Sequence, residues 1–241
     1  MVLGNEDSCS LAAGLLQKHP TLQKCNIWLT PSFTGIREAS RITGDNPYYK
    51  IGAQNAHWED KGAFTGEVSC SMLKDCGAHY VIIGHSERRH IFHESIEMVN
   101  MRAARVLASE MKLIFCIGES LSDREKNLTE NILSHQLSML PSMLMKHPAN
   151  EAIIAYEPVW AIGTGKVAGT DEIAQAHDFI KTFWSKNSSI ACPKILYGGS
   201  VNCENLPSIL KIESVSGALI GGASSNLESF SAIISAAENS A

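Results

Sequence analysis

Two residues of the sequence, a glutamate and a histidine, stand where their side chains could move protons. Glu157 follows the apolar run Ala152–Tyr156 and precedes a glycine-rich segment. A carboxylate at that point, shielded from water when a loop closes, is suited to general-base catalysis. His85 opens a turn that reads as the first turn of a helix, whose positive end favours a neutral, hydrogen-bonding imidazole. Together they predict proton transfer, although each alone also fits a salt bridge or a packing role.

Two glycine pairs predict a phosphate site. Gly198-Gly199, followed by Ser200, and Gly221-Gly222 come directly after the last two apolar runs of the chain. Glycine lets backbone N–H groups approach a phosphate closely, and bare amides can bind a dianion without lysine or arginine. A single glycine pair after a strand is more often a tight turn, so the prediction depends on the repetition.

The segment that follows Glu157 has the composition of a mobile lid, with stiff ends around a pliable tip. It consists of Pro158, Val159, Trp160, Ala161, Ile162, Gly163, Thr164, Gly165 and Lys166. Its tip looks superficially like a nucleotide-binding loop. However, Trp160 stands where a P-loop has its first glycine, and Val167 replaces the required Ser or Thr. The alternative to a lid is an ordinary surface loop.

Short apolar runs alternate with amphipathic segments along the chain, which predicts parallel strands buried on both faces and separated by helices. The predicted strands are Asn26–Thr30, Tyr49–Ala53, His79–Ile83, Leu113–Ile117, Ala152–Tyr156, Lys194–Tyr197 and Gly217–Ile220. The predicted helices cover about 6–18, 95–110, 123–145, 171–186 and 226–238, with Thr170 as the N-cap of the fourth. Because no linker interrupts this alternation, we expect one domain over residues 1–241.

The number of predicted strands leaves two architectures open. The first helical segment is preceded by residues 1–4, which are too few for a strand of usual length and its loop. An eightfold β/α barrel that lacks its opening strand would show this pattern, and so would a seven-stranded open sheet.

Composition limits the partners that we expect. The chain has 241 residues, 44% of them hydrophobic, and a formal net charge of −5. The acidic balance predicts no nucleic-acid or membrane partner, and no apolar run approaches the roughly 20 residues that cross a bilayer. Seven scattered cysteines, without zinc-ligand spacing, predict a reduced cytoplasmic protein that holds no metal.

Six segments resemble the triosephosphate isomerase family, in the family's order and spacing from about residue 20 onward. They are GAQNAHWEDKGAFTGE (52–67), IGHSERR (83–89), FCIGES (115–120), AYEPVWAIGTGK (155–166), YGGSV (197–201) and GALIGGAS (217–224). The resemblance implies a (β/α)8 TIM barrel whose first strand is missing or incomplete in this chain. It implies a glycolytic and gluconeogenic isomerase that interconverts dihydroxyacetone phosphate and glyceraldehyde 3-phosphate.

The resemblance also implies roles for individual residues. Four catalytic-site residues are carried over: Glu157 as the base, His85 as the electrophile and proton shuttle, Ser86 as a support for Glu157, and Glu87. The amides implied to bind the substrate phosphate belong to Gly163, Ser200, Gly221 and Gly222. The family needs no metal and no organic cofactor. It is typically a homodimer, with the loop around Thr65 inserted beside the partner's active site.

The sequence departs from the family at its beginning. The family's opening strand ends in Asn-x-Lys-Met, in which the lysine is catalytic, and Met1 aligns best with that methionine. Lys18 and Lys24 fall in or after the first helical segment, so neither replaces the lysine. We therefore expect impaired catalysis by this chain and unpaired strand edges at 26–30 and 217–220. The alternative is a non-catalytic relative that retains a phosphate-binding site.

Overall fold

The computed structural model describes residues 2–147, 151–162 and 167–240, and these form a parallel sheet with helices packed against it. Six strands pair in chain order, and every neighbouring pair is parallel. The strands are β1 (Ile27–Leu29), β2 (Tyr49–Ala53), β3 (Tyr80–Ile83), β4 (Lys112–Ile117), β5 (Ala152–Tyr156) and β6 (Lys194–Tyr197).

Helices lie between successive strands, as the alternation predicted. The first six helices are α1 (Asn5–Lys18), α2 (Ile36–Thr43), α3 (Cys70–Asp75), α4 (Ser86–His90), α5 (Ile96–Ala108) and α6 (Leu121–Glu125). The next five are α7 (Thr129–Leu137), α8 (Leu140–Lys146), α9 (Thr170–Asn187), α10 (Leu206–Leu210) and α11 (Leu227–Asn239). Three 3-10 turns cover Phe33–Gly35, Val159–Ala161 and Gly222–Ser225.

The central strands are apolar on both faces because both faces are covered. On β4, Leu113, Phe115 and Ile117 join the large core cluster. The alternating residues Ile114 and Cys116 face the other way, into a smaller cluster with residues of β3 and β5. Alternation of side chains along a strand puts successive residues on opposite faces, so a continuous apolar run fits a sheet buried on both sides.

The predicted seventh strand, 217–220, is wrong as a strand. A single bridge joins Ala218 to Tyr197 at the end of β6, supported by hydrogen bonds from Tyr197 N to Gly217 O (3.1 Å) and from Leu219 N to Tyr197 O (2.9 Å). In the described part of the chain no ladder joins this segment to β1, so it is paired on one side. The sheet is therefore a barrel fragment with two open edges, as expected for a TIM barrel without its opening strand.

The predicted helix over 123–145 is also wrong, because it is three helices. Asn127, with a φ of 57°, lies in the left-handed region that ends a helix. Pro141 lies in the first turn of α8, where its missing N–H breaks no helical bond. At the start of α9 the N-cap is Gly169 and not Thr170, and the Gly169 N–H donates to the Glu172 carboxylate (2.8 Å).

Side chains of α11, near the C-terminal end of the chain, bind α1 and the segment that precedes β1. The Glu238 carboxylate accepts the N–H groups of Gln23, Lys24 and Cys25 at 2.7, 3.0 and 3.0 Å, just before β1. These backbone donors lower the pKa of Glu238 to about 2. Lys18 of α1 also contacts Glu228 of α11 at 2.7 Å. We call these three hydrogen bonds the Glu238 clasp. They join α11 to the segment that precedes β1.

In the described residues no helix is long and apolar enough to cross a membrane. Residues 2–147, 151–162 and 167–240 contain no group of three or more His, Cys, Asp or Glu side chains placed to hold a metal ion.

Candidate active site

The carboxyl ends of β3 to β6 meet at one edge of the sheet. Register pairs Ile83 with Phe115, Ile117 with Tyr156, and Tyr156 with Tyr197, so the segments that follow these residues lie side by side. This edge is where β/α barrels and parallel sheets place their ligand sites. The polar and glycine residues predicted from the sequence leave the sheet here.

Glu157 and His85 are in direct contact at this edge. His85 Nε2 lies 3.1 Å from Glu157 Oε1. The other carboxylate oxygen, Oε2, accepts the backbone N–H of Ser86 at 3.0 Å. Glu157 is 2% exposed, so its carboxylate is held by the protein and not by bulk water.

The hydrogen bonding of His85 assigns the tautomer of its neutral ring. His85 is the N-cap of α4, and its Nδ1 accepts the backbone N–H of Glu87 at 3.4 Å. An imidazole nitrogen that accepts a hydrogen bond carries no proton, so the neutral ring has its proton on Nε2. The Nε2–H group therefore points at the Glu157 carboxylate and can donate to an oxygen placed in the same site.

Burial raises the pKa of Glu157 above its ordinary value. The contact with His85 Nε2, the Ser86 N–H, the Cys116 thiol and the Arg89 guanidinium oppose this rise. The Arg89 guanidinium donates to Gly84 O (2.8 Å) and Cys116 O (3.0 Å), behind the carboxylate. A carboxylate whose pKa is raised toward neutrality is a stronger base than an exposed one.

Two glycines allow the backbone to approach Glu157 from both sides. A Cβ atom on Gly118 would lie 1.8 Å from Glu157 O, and one on Gly198 would lie 2.9 Å from Glu157 Cγ. Real side chains do not tolerate such distances, so residues without a Cβ are required at both positions.

Glu119 anchors the beginning of the predicted lid. Its fully buried carboxylate accepts hydrogen bonds from Tyr156 Oη (3.1 Å) and Trp160 Nε1 (3.0 Å), and it pairs with Arg124 (3.4 Å). The Arg124 guanidinium also lies over the Trp160 ring, 4.9 Å from its centroid. These contacts thus hold residues 158–162 against Glu119 and Arg124. Glu119 stands in the segment FCIGES (115–120), from which no role for it was predicted.

The predicted lid is described only in its first part. Gly163, Thr164, Gly165 and Lys166 lie outside the described residues, and with them the phosphate contact predicted for the Gly163 amide. Pro158, Val159, Trp160, Ala161 and Ile162 are described, and the Val159 N–H donates to Glu119 O at 3.0 Å.

The predicted phosphate-binding residues differ from the base in how they are held. Both the N–H and the hydroxyl of Ser200 donate to Ala161 O, at 3.2 and 2.8 Å. Gly221 and Gly222 are exposed, and a Cβ on either would have no atom within 4 Å. The Ser200 amide is therefore bonded to Ala161 of the predicted lid, while the glycine pair is open to solvent.

Glu87 is brought near His85 but not into the buried site. Its side chain is 66% exposed, and its Oε2 lies 3.8 Å from His85 Nδ1. The loop around Thr65 is exposed throughout residues 61–67. It is attached to the body of the chain by the Phe64 ring, 4.4 Å from His57, and by Glu67, 3.3 Å from Arg102.

Comparison with known proteins places the chain in a family. A sequence model of the triosephosphate isomerase family matches residues 2–237. The proteins named triosephosphate isomerase from Endomicrobium trichonymphae and Thermodesulfovibrio yellowstonii are 43% and 45% identical to this chain over 211 and 213 residues; each match covers 86% of the chain and 84% of the relative. That from Chlamydia trachomatis serovar L2 is 45% identical over 210 residues, 86% of this chain and 75% of that protein. The six motifs, the parallel sheet and these matches agree: the chain belongs to the triosephosphate isomerase family.

Proposed function

We propose that this chain interconverts dihydroxyacetone phosphate and glyceraldehyde 3-phosphate through an enediol, with Glu157 as the base. The observation that carries the proposal is the buried Glu157 carboxylate, 3.1 Å from His85 Nε2 and with a raised pKa. A desolvated base beside a neutral hydrogen-bond donor is the pair needed to move a proton next to a carbonyl group.

Each proton in this reaction has a donor and an acceptor within the chain. Glu157 takes a proton from the carbon beside the carbonyl, while His85 Nε2–H donates to the carbonyl oxygen, which yields the enediol. Glu157 then returns its proton to the neighbouring carbon, and His85 recovers its own from the other hydroxyl. The Ser86 N–H, 3.0 Å from Oε2, holds the carboxylate until substrate arrives. No metal or organic cofactor enters these steps.

The substrate phosphate would be bound by the amides of Gly163, Ser200, Gly221 and Gly222. Backbone N–H groups following adjacent strand ends can surround a dianion. Because the Ser200 N–H donates to Ala161 O at 3.2 Å, we infer that phosphate binding replaces this bond as the lid, residues 158–166, closes. Closure would then keep water away from the enediol.

The activity of the 241-residue chain is expected to be low. The resemblance implies an Asn-x-Lys motif, and no lysine of this sequence stands at that place. Removing one positioned donor of a charged transition state costs roughly 10²–10³-fold in rate, and loss of a full charge costs more. Glu87, implied to lie near that lysine, would keep a place at the site's rim.

Assembly and location complete the proposal. We infer a homodimer through the loop around Thr65, since large apolar side chains are exposed near it and near His85: Phe64 is 40% exposed, and Ile91 and Phe92 are 65% exposed. Such apolar surface favours a protein interface. The chain would act as one domain in the cytoplasm, in glycolysis and gluconeogenesis, without nucleic-acid or membrane partners.

Proton exchange in D2O tests the proposal even when turnover is slow. We expect dihydroxyacetone phosphate to gain deuterium in long incubations with the chain, followed by NMR, and Glu157→Gln to reduce the rate roughly 10²–10⁴-fold. Equal rates for both chains would overturn the proposal. If inorganic phosphate or a triose phosphate still bound, the non-catalytic alternative would be supported.

An extended chain separates impairment from inactivity. A strand ending in Asn-x-Lys-Met is fused before Val2, with a matched extension in which its lysine is methionine. We expect the lysine version alone to raise the exchange rate, by roughly 10²-fold or more. Equal rates for the two extended chains would contradict the proposed impairment.

A further inference from the structure

Gln136 binds both backbone polar groups of one residue beside the catalytic base. The Gly118 N–H donates to Gln136 Oε1 at 2.8 Å, and Gln136 Nε2–H donates to Gly118 O at 3.0 Å. Gly118 is buried, so these bonds replace water at two polar groups that could not otherwise remain unpaired without cost. A primary amide is the side chain that can accept and donate at once in this geometry.

Gly118 is in turn the residue against which the Glu157 backbone rests. The space that a Cβ of Gly118 would occupy is filled by Glu157 O, 1.8 Å away from that position. The neighbours of Gly118 bind the same segment: Ile117 O accepts the Glu157 N–H at 2.7 Å, and Glu119 O accepts the Val159 N–H at 3.0 Å. A shift of Gly118 would therefore shift the backbone of the base.

Helix α7 gives Gln136 a fixed position from which to act. Leu133 and Leu137 of this helix are fully buried in the main core. Positions 133, 136 and 137 lie on one helical face, so packing of the two leucines directs Gln136 toward the sheet. The Gln136 side chain thus fixes Gly118, at the end of β4, relative to the packed helix α7.

We propose that Gln136 is a positioning residue, which holds the backbone of Glu157 at the distance and orientation that proton abstraction requires. The inference depends on the proposed role of Glu157 as the base. Misplacement of a catalytic group by about 1 Å costs on the order of 10²-fold in rate. Loss of the Gln136 bonds should therefore lower kcat, while KM, which reflects phosphate binding at Ser200, Gly221 and Gly222, changes little.

The variant Gln136→Glu tests one half of the contact. A carboxylate at this position can still accept the Gly118 N–H, but it cannot donate to Gly118 O and faces that oxygen with a second acceptor. A protonated carboxyl group recovers the donor. We expect deuterium exchange into dihydroxyacetone phosphate at pH 8 to have a kcat roughly 10–100-fold below that of the parent chain. Because the introduced carboxylate would face the buried Gly118 O, its pKa should lie above the ordinary value of a glutamate. The ratio of the two kcat values should therefore move toward one as pH falls toward 5.

Two further variants make the outcome decisive. Asn131→Asp is the same amide-to-acid change at an exposed position of α7, and it should leave kcat and its pH profile unchanged. Gln136→Met keeps the side-chain length and removes both bonds, so its loss of kcat should be independent of pH. Circular dichroism melting confirms that each chain is folded when assayed.

Three results would overturn the inference. One is a kcat of Gln136→Glu and Gln136→Met equal to that of the parent per folded molecule. Another is a loss for Gln136→Glu that does not diminish as pH falls. The third is Glu157→Gln exchanging deuterium as fast as the parent, which removes the proposed function itself and with it the ground of this inference. The first two leave the proposed function intact, so the failures are distinguishable.

Discussion

The base side and the phosphate side of the site differ in how completely the chain assembles them. On the base side, defined by Glu157, His85 and residues 116–119, β3, β4 and β5 pair over four and five residues. Glu157, the proposed base, is buried there and accepts the Ser86 N–H. The phosphate side, Ser200 with Gly221 and Gly222, follows β6 and a segment joined to it by one bridge. Continuous strand pairing thus fixes the contact between Glu157 and His85, whereas the residues proposed to bind phosphate are less completely held.

The largest test of this contrast exchanges a glycine on each side for alanine. Gly118→Ala places a methyl group 1.8 Å from Glu157 O, a backbone atom held by paired strands. We expect a loss of more than about 4 kcal/mol in the free energy of unfolding, since neither backbone can yield. The matched Gly221→Ala meets no atom within 4 Å and should change stability by less than about 0.5 kcal/mol. Denaturant unfolding measures both, and similar losses would contradict the contrast.

Acid should weaken the fold through a buried histidine of α9, His177. His177 is buried, with its ring 5.9 Å from that of Tyr156 and Nδ1 3.2 Å from Ser214 O. Burial lowers the pKa of His177 to about 4. A folded-state pKa below the unfolded value favours the neutral ring, so its stabilisation is complete above about pH 6.5 and is lost as pH falls toward 4.

The expected contribution of His177 is about 3 kcal/mol over that interval. It appears as the difference between the unfolding free energies of the parent and His177→Phe, measured from pH 7.5 to 4. Parallel stability curves for the two chains would show that the ring titrates normally in the folded state.

A smaller effect is expected from the base itself, with the opposite sign. Burial raises the pKa of Glu157, so the folded chain disfavours its ionised form. Stability linked to this group is present below pH 4.5 and is lost as pH rises through the folded-state pKa. Glu157→Gln should therefore stabilise the fold at pH 8, by about 1 kcal/mol, while slowing exchange roughly 10²–10⁴-fold. The gain should vanish in thermal melts near pH 4; destabilisation at pH 8 would be inconsistent with a desolvated base.

Loss of a side-chain hydrogen bond on the phosphate side should have only a small effect on stability. Ser200→Ala removes the hydroxyl that donates to Ala161 O at 2.8 Å, but the Ser200 N–H still donates to the same oxygen. Because the acceptor stays paired, we expect a loss of about 0.5 kcal/mol. Thermal unfolding gives this value, and a loss above about 2 kcal/mol would mean that the phosphate side is as firmly built as the base side.

The sequence predicted the central strands well and the segment at one open edge of the sheet poorly. The bounds of β2, β5 and β6 agree with the prediction, because polar or glycine residues end these apolar runs sharply. Residues 217–220 have equally apolar character, yet they form one bridge, since pairing needs neighbours on both sides that local composition cannot reveal. The helix predicted over 123–145 is interrupted at Asn127 and before Pro141, where backbone conformation overrides an apolar period.

The two residues proposed to react could be predicted from the sequence, but the side chains that support them could not. Glu157 and His85 stand out by type and by their place after strands, and the structure brings them into contact. Gln136 and Arg89 act on backbone carbonyl and amide groups from distant elements. A side chain that binds backbone groups does not require a particular residue type as its partner. No pattern of residue types in the sequence therefore indicates such a contact. An amide on the buried face of α7 is the one signal that could have directed attention to Gln136.

The Glu238 clasp sets an order on the synthesis of this fold. The Gln23 amide and the carboxylate that binds it are separated by 215 residues. A ribosome makes the receiving segment first and the carboxylate 215 residues later, so water must bind the three amides while the intervening chain is produced. Parallel pairing from β1 onward can begin during that time, and α1 can pack on α2, but the face of α1 at Gly14, which meets Leu227 of α11, stays uncovered. A growing chain halted before residue 227 is therefore expected to expose that face of α1 to chaperones, although its base side is already formed.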